Sequence, residues 1–183
     1  MFRLETTKIP GCYEIFPAAT RDERGEFVKV FHDAAFRELG LETGFVESYY
    51  SVSGKNVLRG MHFQRPPMDH AKLVYCIEGA VLDVAVDLRK GSPAYGTCAK
   101  FELDARRASL VYLPRGMAHG FLVKSDRATL VYSVTSVYSP QHDDGIHWNS
   151  VSVSWPIASP IVSSRDRGFQ ALADWKSPFD YVG

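Results

Sequence analysis

The chain has 183 residues, with 21 Lys plus Arg against 21 Asp plus Glu, so its formal net charge is zero. That balance excludes a general nucleic-acid or polyanion binder, which needs a net basic surface. No apolar run approaches the ~18 residues of a transmembrane helix, which excludes a membrane-spanning protein of that type. The length suits a single domain over residues 1–183. The first residues, MFRLETTKIPGCYEIF, lack the apolar core and small-residue cleavage site of a secretory leader. Cys12, Cys76 and Cys98 lack metal-type spacing, so they are expected as reduced thiols of a cytoplasmic protein.

Residues 2–16 read as extended chain with a turn at Pro10-Gly11. A charged turn at Asp22-Glu23-Arg24-Gly25 leads into FVKVF, whose alternation predicts a strand over 27–31. Asp33 is expected to cap a short helix, AAFREL, that Gly40 ends. From Phe45 the pattern is β throughout. FVESYYSVS is rich in aromatic and β-branched residues and stops at Ser53-Gly54. VLRGMHFQ follows, broken by Arg65-Pro66-Pro67, and then HAKLVYCI. AVLDVAVDLR alternates Leu82, Val84, Val86 and Leu88 against Asp83, Ala85 and Asp87. TCAKFEL, SLVYL, AHGFLVK and ATLVYSVTSVYS supply further strands. After Trp155-Pro156 the tail is irregular, with a short helical turn expected within 166–176. Short strands separated only by turns predict an all-β fold: a sandwich, jelly roll or barrel.

Val57 to Gln64 carries the chemistry. Arginine grips phosphates in a bidentate way, and histidine is the side chain best matched to proton transfer at neutral pH. Arg59 and His62 differ by three and face opposite ways on a regular strand, so Gly60 is read as a bulge that re-aims one of them. Tyr132 and Tyr138 differ by six and share a face, roughly 20 Å apart on a straight strand at ~3.3 Å per residue; serving one ligand requires a bend. Taken singly, the blander readings hold: His62 a core histidine, Lys72 an edge residue, the tyrosines barrel aromatics, Asp83 and Asp87 a solvated face. His32, His70, His142 and His147 read as surface residues. A metal is not expected. His119 follows a Pro-x-Gly turn in PRGMAHG, but His62 is followed two residues on by Gln64 where cupin metal sites carry a second His. Two histidines without a carboxylate are too few ligands.

The ordered set DERGEF, VLRGMHFQ, KLVYCIEGAVLDVAVDLRKGSPAYG, LPRGMAHGF, LVYSVTSVYSP, GIHWN, WP and SSRD, over about residues 20 to 167, resembles the dTDP-4-dehydrorhamnose 3,5-epimerase family. The resemblance implies a cupin-type jelly roll with short flanking helices, a homodimer that shares strands between subunits, a nucleotide-diphosphate sugar as substrate, and no cofactor or metal. It implies an enzyme that removes a proton beside a C4 ketone on one face of the sugar and returns one on the other. By motif, His62 matches the base, Asp166 the carboxylate paired with it, Tyr132 the acid and Lys72 the cation near the enolate oxygen. Among the substrate contacts, Arg59 and Arg24 match the diphosphate ligands, His119 a cavity contact and Tyr138 the aromatic that stacks on the base. Gln64, Asp143 and Arg165 belong to the same contact set.

The chain departs from the family pattern at Glu47-Ser48-Tyr49, where Gln-Asp-Asn is usual, and at Lys29, where Glu is usual. Arg165 stands where Lys is common. A carboxylate at position 29 accepts the N3–H of thymine, whereas a lysine donates to cytosine or guanine. If Lys29 contacts the base, a CDP- or GDP-linked sugar is expected in place of dTDP, with Glu47 and Tyr49 reshaping the sugar pocket and one or both of C3 and C5 inverted. A nucleotide-sugar 3,4-ketoisomerase and a non-catalytic nucleotide-sugar-binding cupin are the alternatives.

Overall fold

The computed structural model describes residues 2–183. Two antiparallel sheets face each other. The first has six strands: β1 (Phe2–Thr6), β2 (Tyr13–Pro17), β5 (Glu47–Gly54), β7 (Lys72–Glu78), β10 (Leu110–Leu113) and β12 (Arg127–Val134), in spatial order β1-β2-β10-β7-β12-β5. The second has five: β6 (Leu58–Gln64), β8 (Ala80–Asp87), β9 (Cys98–Asp104), β11 (Met117–Val123) and β13 (Asp143–Gly145), in order β13-β6-β11-β8-β9. A separate hairpin joins β3 (Ala19–Asp22) to β4 (Gly25–Val28). From β5 to β8, and again from β9 to β13, consecutive strands alternate between the sheets, which gives the cupin-type jelly roll.

Three apolar clusters follow from strand alternation. The first lies between the sheets and includes Val74, Leu130 and Tyr132 from one and Ala85, Phe101 and Phe121 from the other. A second covers the outer face of the five-stranded sheet, where Leu82, Val84, Val86 and Leu88 meet Trp148, Trp155, Trp175 and Phe179 of the tail. With both faces covered, β8 is buried almost throughout. Asp83 and Asp87 are therefore not a solvated face. Asp87 receives Arg89 Nε at 2.9 Å and Ser92 Oγ at 2.6 Å, and Asp83 receives His119.

The third cluster lies outside the six-stranded sheet, beneath α1 (Asp33–Glu38). Phe36 of α1 is fully buried, which stabilises the docked helix by roughly 1.5–3 kcal/mol. The helix is capped by His32, whose Nδ1 accepts from Ala35 N, and not by Asp33, which sits in the first turn. Gly40 ends it at φ +73°, a conformation open to glycine at little cost. The strand expected over 27–31 stops at Val28, because Val30 and Phe31 turn away from the hairpin to pack in this cluster. β5 extends through Gly54. The tail's helical turn, α2, is Ser164–Arg167, earlier than expected, with Ser163 Oγ capping Asp166 N.

Candidate active site

The open end of the sandwich forms a cavity of about 380 Å³, walled by β6 and β11 on one side and β5, β7 and β12 on the other. The bulge expected in β6 is present. His62 pairs with His119 and Arg59 with Phe121, so one extra residue is accommodated between them. Gly60 adopts φ +137°, and a Cβ there would lie 2.6 Å from Gly120 Cα. Only glycine fits, and the shift in register lets both Arg59 and His62 line the cavity.

His62 Nε2 lies 2.8 Å from Asp166 Oδ1, and Asp166 Oδ2 accepts from Gly60 N at 3.1 Å. With Nε2–H donated to the carboxylate, Nδ1 carries the ring's lone pair. Burial pushes the His62 imidazole below its ordinary value, opposed by the Asp166 hydrogen bond and charge. Burial raises the Asp166 carboxyl, but His62 and the Gly60 amide outweigh it and hold the group below the usual carboxylate range. Phe169 sits edge-on to the His62 ring at 5.8 Å.

Facing His62 from the six-stranded sheet are Lys72 and Tyr132. The buried Lys72 ammonium donates to His62 O at 3.3 Å. Burial lowers it to about 8, against the pull of Asp143 and Asp83. Tyr132 is raised, chiefly by burial, and its hydroxyl lies 3.2 Å from Ser51 Oγ. Directly across the β5–β12 register, the Tyr49 ring stacks on Tyr132.

The rim is a hydrogen-bonded strap. The strand carrying Tyr132 stops at Val134, so Tyr138 lies in the following loop and not six residues along a straight strand. This turn brings both tyrosines to the cavity. Glu47 accepts from Tyr138 N at 2.7 Å, and Asp143 receives Arg165 at 2.8 Å and the Tyr138 hydroxyl at 3.3 Å. Gln64 lines the cavity, but its amide is engaged by backbone: Oε1 accepts from Ser139 N, and Nε2 donates to Met68 O and Val137 O. Arg59 is held by Ser53 Oγ at 2.9 Å. His119 lies in the wall, paired with Asp83 at 2.8 Å.

Two expected contacts lie elsewhere. Arg24 forms an exposed turn with Asp22, and Lys29 is exposed just beyond the β3–β4 hairpin; neither lines the cavity of this chain. One lining residue was read as surface: His70. Ser136 gives its hydroxyl proton to Met68 O at 2.6 Å, so its oxygen accepts from His70 Nδ1 at 3.1 Å. Among the described residues, His70 Nε2 is buried without a hydrogen-bond partner. Burial, with Lys72 and Arg115 nearby, lowers His70 to about 3, so it is neutral. Its position two residues before Lys72 was the available signal, since side chains at i and i+2 share a strand face.

Among the described residues, no group of three or more His, Cys, Asp or Glu side chains is placed to hold a metal ion. No helix among them is long and apolar enough to cross a membrane.

The family model described as dTDP-4-dehydrorhamnose 3,5-epimerase matches residues 6–174. The dTDP-4-dehydrorhamnose 3,5-epimerase of Shigella flexneri is 40% identical over 171 residues, covering 92% of this chain and 94% of that protein. The dTDP-4-dehydrorhamnose 3-epimerase of Streptomyces niveus is 39% identical over 175 residues, covering 94% and 84%. The solved structure of the dTDP-6-deoxy-D-glucose-3,5-epimerase of Legionella pneumophila, in complex with dTDP-4-keto-L-rhamnose, matches with a TM-score of 0.94 at 32% identity, covering 100% of both chains. With most of its length matched and relatives near 40% identity over nearly all of it, the chain belongs to the dTDP-4-dehydrorhamnose 3,5-epimerase family of isomerases.

Proposed function

We propose that the protein inverts C3 and C5 of a dTDP-linked 4-keto-6-deoxy sugar. The observation that carries this reading is the His62–Asp166 pair on one wall of the cavity, facing Tyr132 and the buried Lys72 on the other. The C4 ketone acidifies the neighbouring C–H bonds. His62 Nδ1 takes a proton, the electrons move to the C4 oxygen, and Lys72 stabilises the enolate. Tyr132 returns a proton from the opposite face. Its raised pKa keeps the phenol protonated and able to donate. Each of the acid and base roles is worth on the order of 10²–10⁴ in rate. Arg59 at the cavity mouth supplies a fork for the diphosphate.

The relatives are named for dTDP-linked sugars, whose base is thymine. The case for cytosine or guanine rests on Lys29, which is exposed outside this chain's cavity, and no residue lining that cavity adds to it. The proposal includes a homodimer. Tyr50, Ile77 and Phe27 are 70%, 56% and 66% exposed, an apolar surface across the outer sheet face and the hairpin that a partner would cover. A cytoplasmic location completes the reading, supported by three free thiols.

Incubation in D₂O with dTDP-, CDP- and GDP-linked 4-keto-6-deoxy sugars tests this. Deuterium entering C3 and C5 of the dTDP sugar, and lost in His62→Asn, is the expected result. Labelling at one carbon alone narrows the activity to a mono-epimerase, and labelling only with CDP or GDP sugars overturns the nucleotide. Undiminished turnover in His62→Asn removes His62 from the mechanism.

A further inference from the structure

We propose that Tyr49 is a positioning residue that holds the Tyr132 phenol in the orientation from which it returns a proton to the sugar. The inference rests on the reading of Tyr132 as the proton donor. Tyr49 and Tyr132 are direct cross-strand partners, and their rings stack with centroids 4.9 Å apart and planes 18° from parallel. Ser51, two residues on and therefore on the same face of β5, contacts the Tyr132 hydroxyl at 3.2 Å. One edge strand thus holds the donor at both ends, by the flat of its ring and by its oxygen. His119 meets the ring edge-on, with centroids 6.1 Å apart. Tyr132 is 6% exposed while Tyr49 is 42% exposed, so Tyr49 forms the solvent-side wall of the donor. Without it, one face of the Tyr132 ring opens toward the cavity mouth.

The consequence is chemical. The base removes a proton from carbon and becomes an imidazolium, while the enolate oxygen rests against Lys72. Two fates follow. If Tyr132 gives its O–H proton to the opposite face, the centre inverts; the phenolate then takes a proton from water and the imidazolium loses one to water. If the imidazolium first exchanges its proton with solvent and returns it to the face it came from, deuterium enters without inversion. The second route needs His62 but not Tyr132. A residue that acts only by positioning Tyr132 therefore changes the ratio of the two outcomes, whereas damage to the whole site lowers both together.

The test is ¹H NMR of the full-length protein with a dTDP-linked 4-keto-6-deoxy sugar in D₂O, scoring exchange and inversion separately. Tyr49→Ala is expected to raise the exchange-to-inversion ratio about ten-fold or more, with KM changed less than about three-fold. Tyr49→Phe keeps the ring and is expected to restore the wild-type ratio. In a Tyr132→Phe background, Tyr49→Ala is expected to add no further loss of inversion, as for residues acting as a unit. Should Tyr49→Ala fold poorly, Tyr49→Leu supplies bulk without a flat face and is expected to shift the ratio in the same direction. An unchanged ratio in these variants, or exchange and inversion falling in proportion, overturns the positioning role. Intact inversion in Tyr132→Phe alone overturns the donor itself, and is distinguishable because Tyr49 is then wild type.

Discussion

His119 Nε2 lies 2.8 Å from Asp83 Oδ2, with side-chain exposures of 4% and 0%. The two residues are diagonal neighbours across β11 and β8, since His119 faces Ala85 and Asp83 faces Phe121 in the register. Asp83 Oδ1 has no hydrogen-bond partner among the described residues, so His119 is the main compensation for a carboxylate in the barrel interior. Removing one member of a buried pair strands the other. His119→Ala is expected to cost about 3–5 kcal/mol, read from urea denaturation. A loss under about 1 kcal/mol would show that Asp83 is held in some other way.

The pH dependence of turnover follows from His62 and Lys72. His62 must be neutral to accept a proton, and burial sets its pKa below the ordinary histidine value. The acid limb of kcat/KM is therefore expected below about 6.5. Asp166 opposes that shift, so Asp166→Asn is expected to move the limb further down while slowing turnover roughly 10²-fold. Lys72 must be cationic, and burial lowers it to about 8, so activity is expected to fall as pH rises through about 8. A Lys72→Met profile that kept this alkaline limb would assign it to another group.

His70 couples stability to acid. Its pKa falls from an ordinary 6.5 to about 3 on folding. Between those values the unfolded chain binds the additional proton, so stability is full above 6.5 and is lost as pH falls toward 3. His70→Gln is expected to flatten the stability-against-pH curve in this window, measured as the urea midpoint at pH 7, 5 and 4. Parallel curves for the two proteins would count against a neutral buried imidazole.

Gly60 is required by both conformation and space. Gly60→Ala places a Cβ 2.6 Å from the Gly120 backbone at φ +137°, at an expected cost of about 3 kcal/mol or more. Because the bulge aims Arg59 and His62 into one cavity, solvent exchange at the substrate should fall as well. A variant with wild-type stability would mean that β6 can shed its bulge.

Association is checked by sedimentation velocity. The expected species has twice the 20.5 kDa chain mass. Tyr50→Asp combined with Ile77→Asp places charge on the exposed outer sheet face and is expected to give monomers. A wild-type monomer at micromolar concentration would rule the homodimer out.

Much of the site was legible because its signals are local. Arg59-Gly60-x-His62 stands within four residues, and a glycine inside a strand pattern implies a bulge whatever the rest of the chain does. The His62–Asp166 pair was legible only through the family resemblance, since 104 residues separate the two. His70, just ahead of β7, and Asp83, within β8, were misread for one reason: a polar residue looks alike from sequence whether it meets water or a second layer. Asp83 lies in β8, where tail aromatics cover the face that would otherwise be solvated and the facing sheet covers the other.

Strand periodicity, turn residues and the bulge at Gly60 are properties of neighbouring side chains, and they determined an all-β fold and the convergence of Arg59 and His62 on one side of their strand. Strand pairing and sheet closure decided the rest. They buried Lys72 and Asp83, turned the chain after Val134 so that Tyr138 and Tyr132 line one cavity, laid Tyr49 flat on Tyr132, and left Arg24 and Lys29 outside, on and just beyond an exposed hairpin. Those outcomes depend on what packs against each strand face from a distant part of the chain, which local periodicity does not encode.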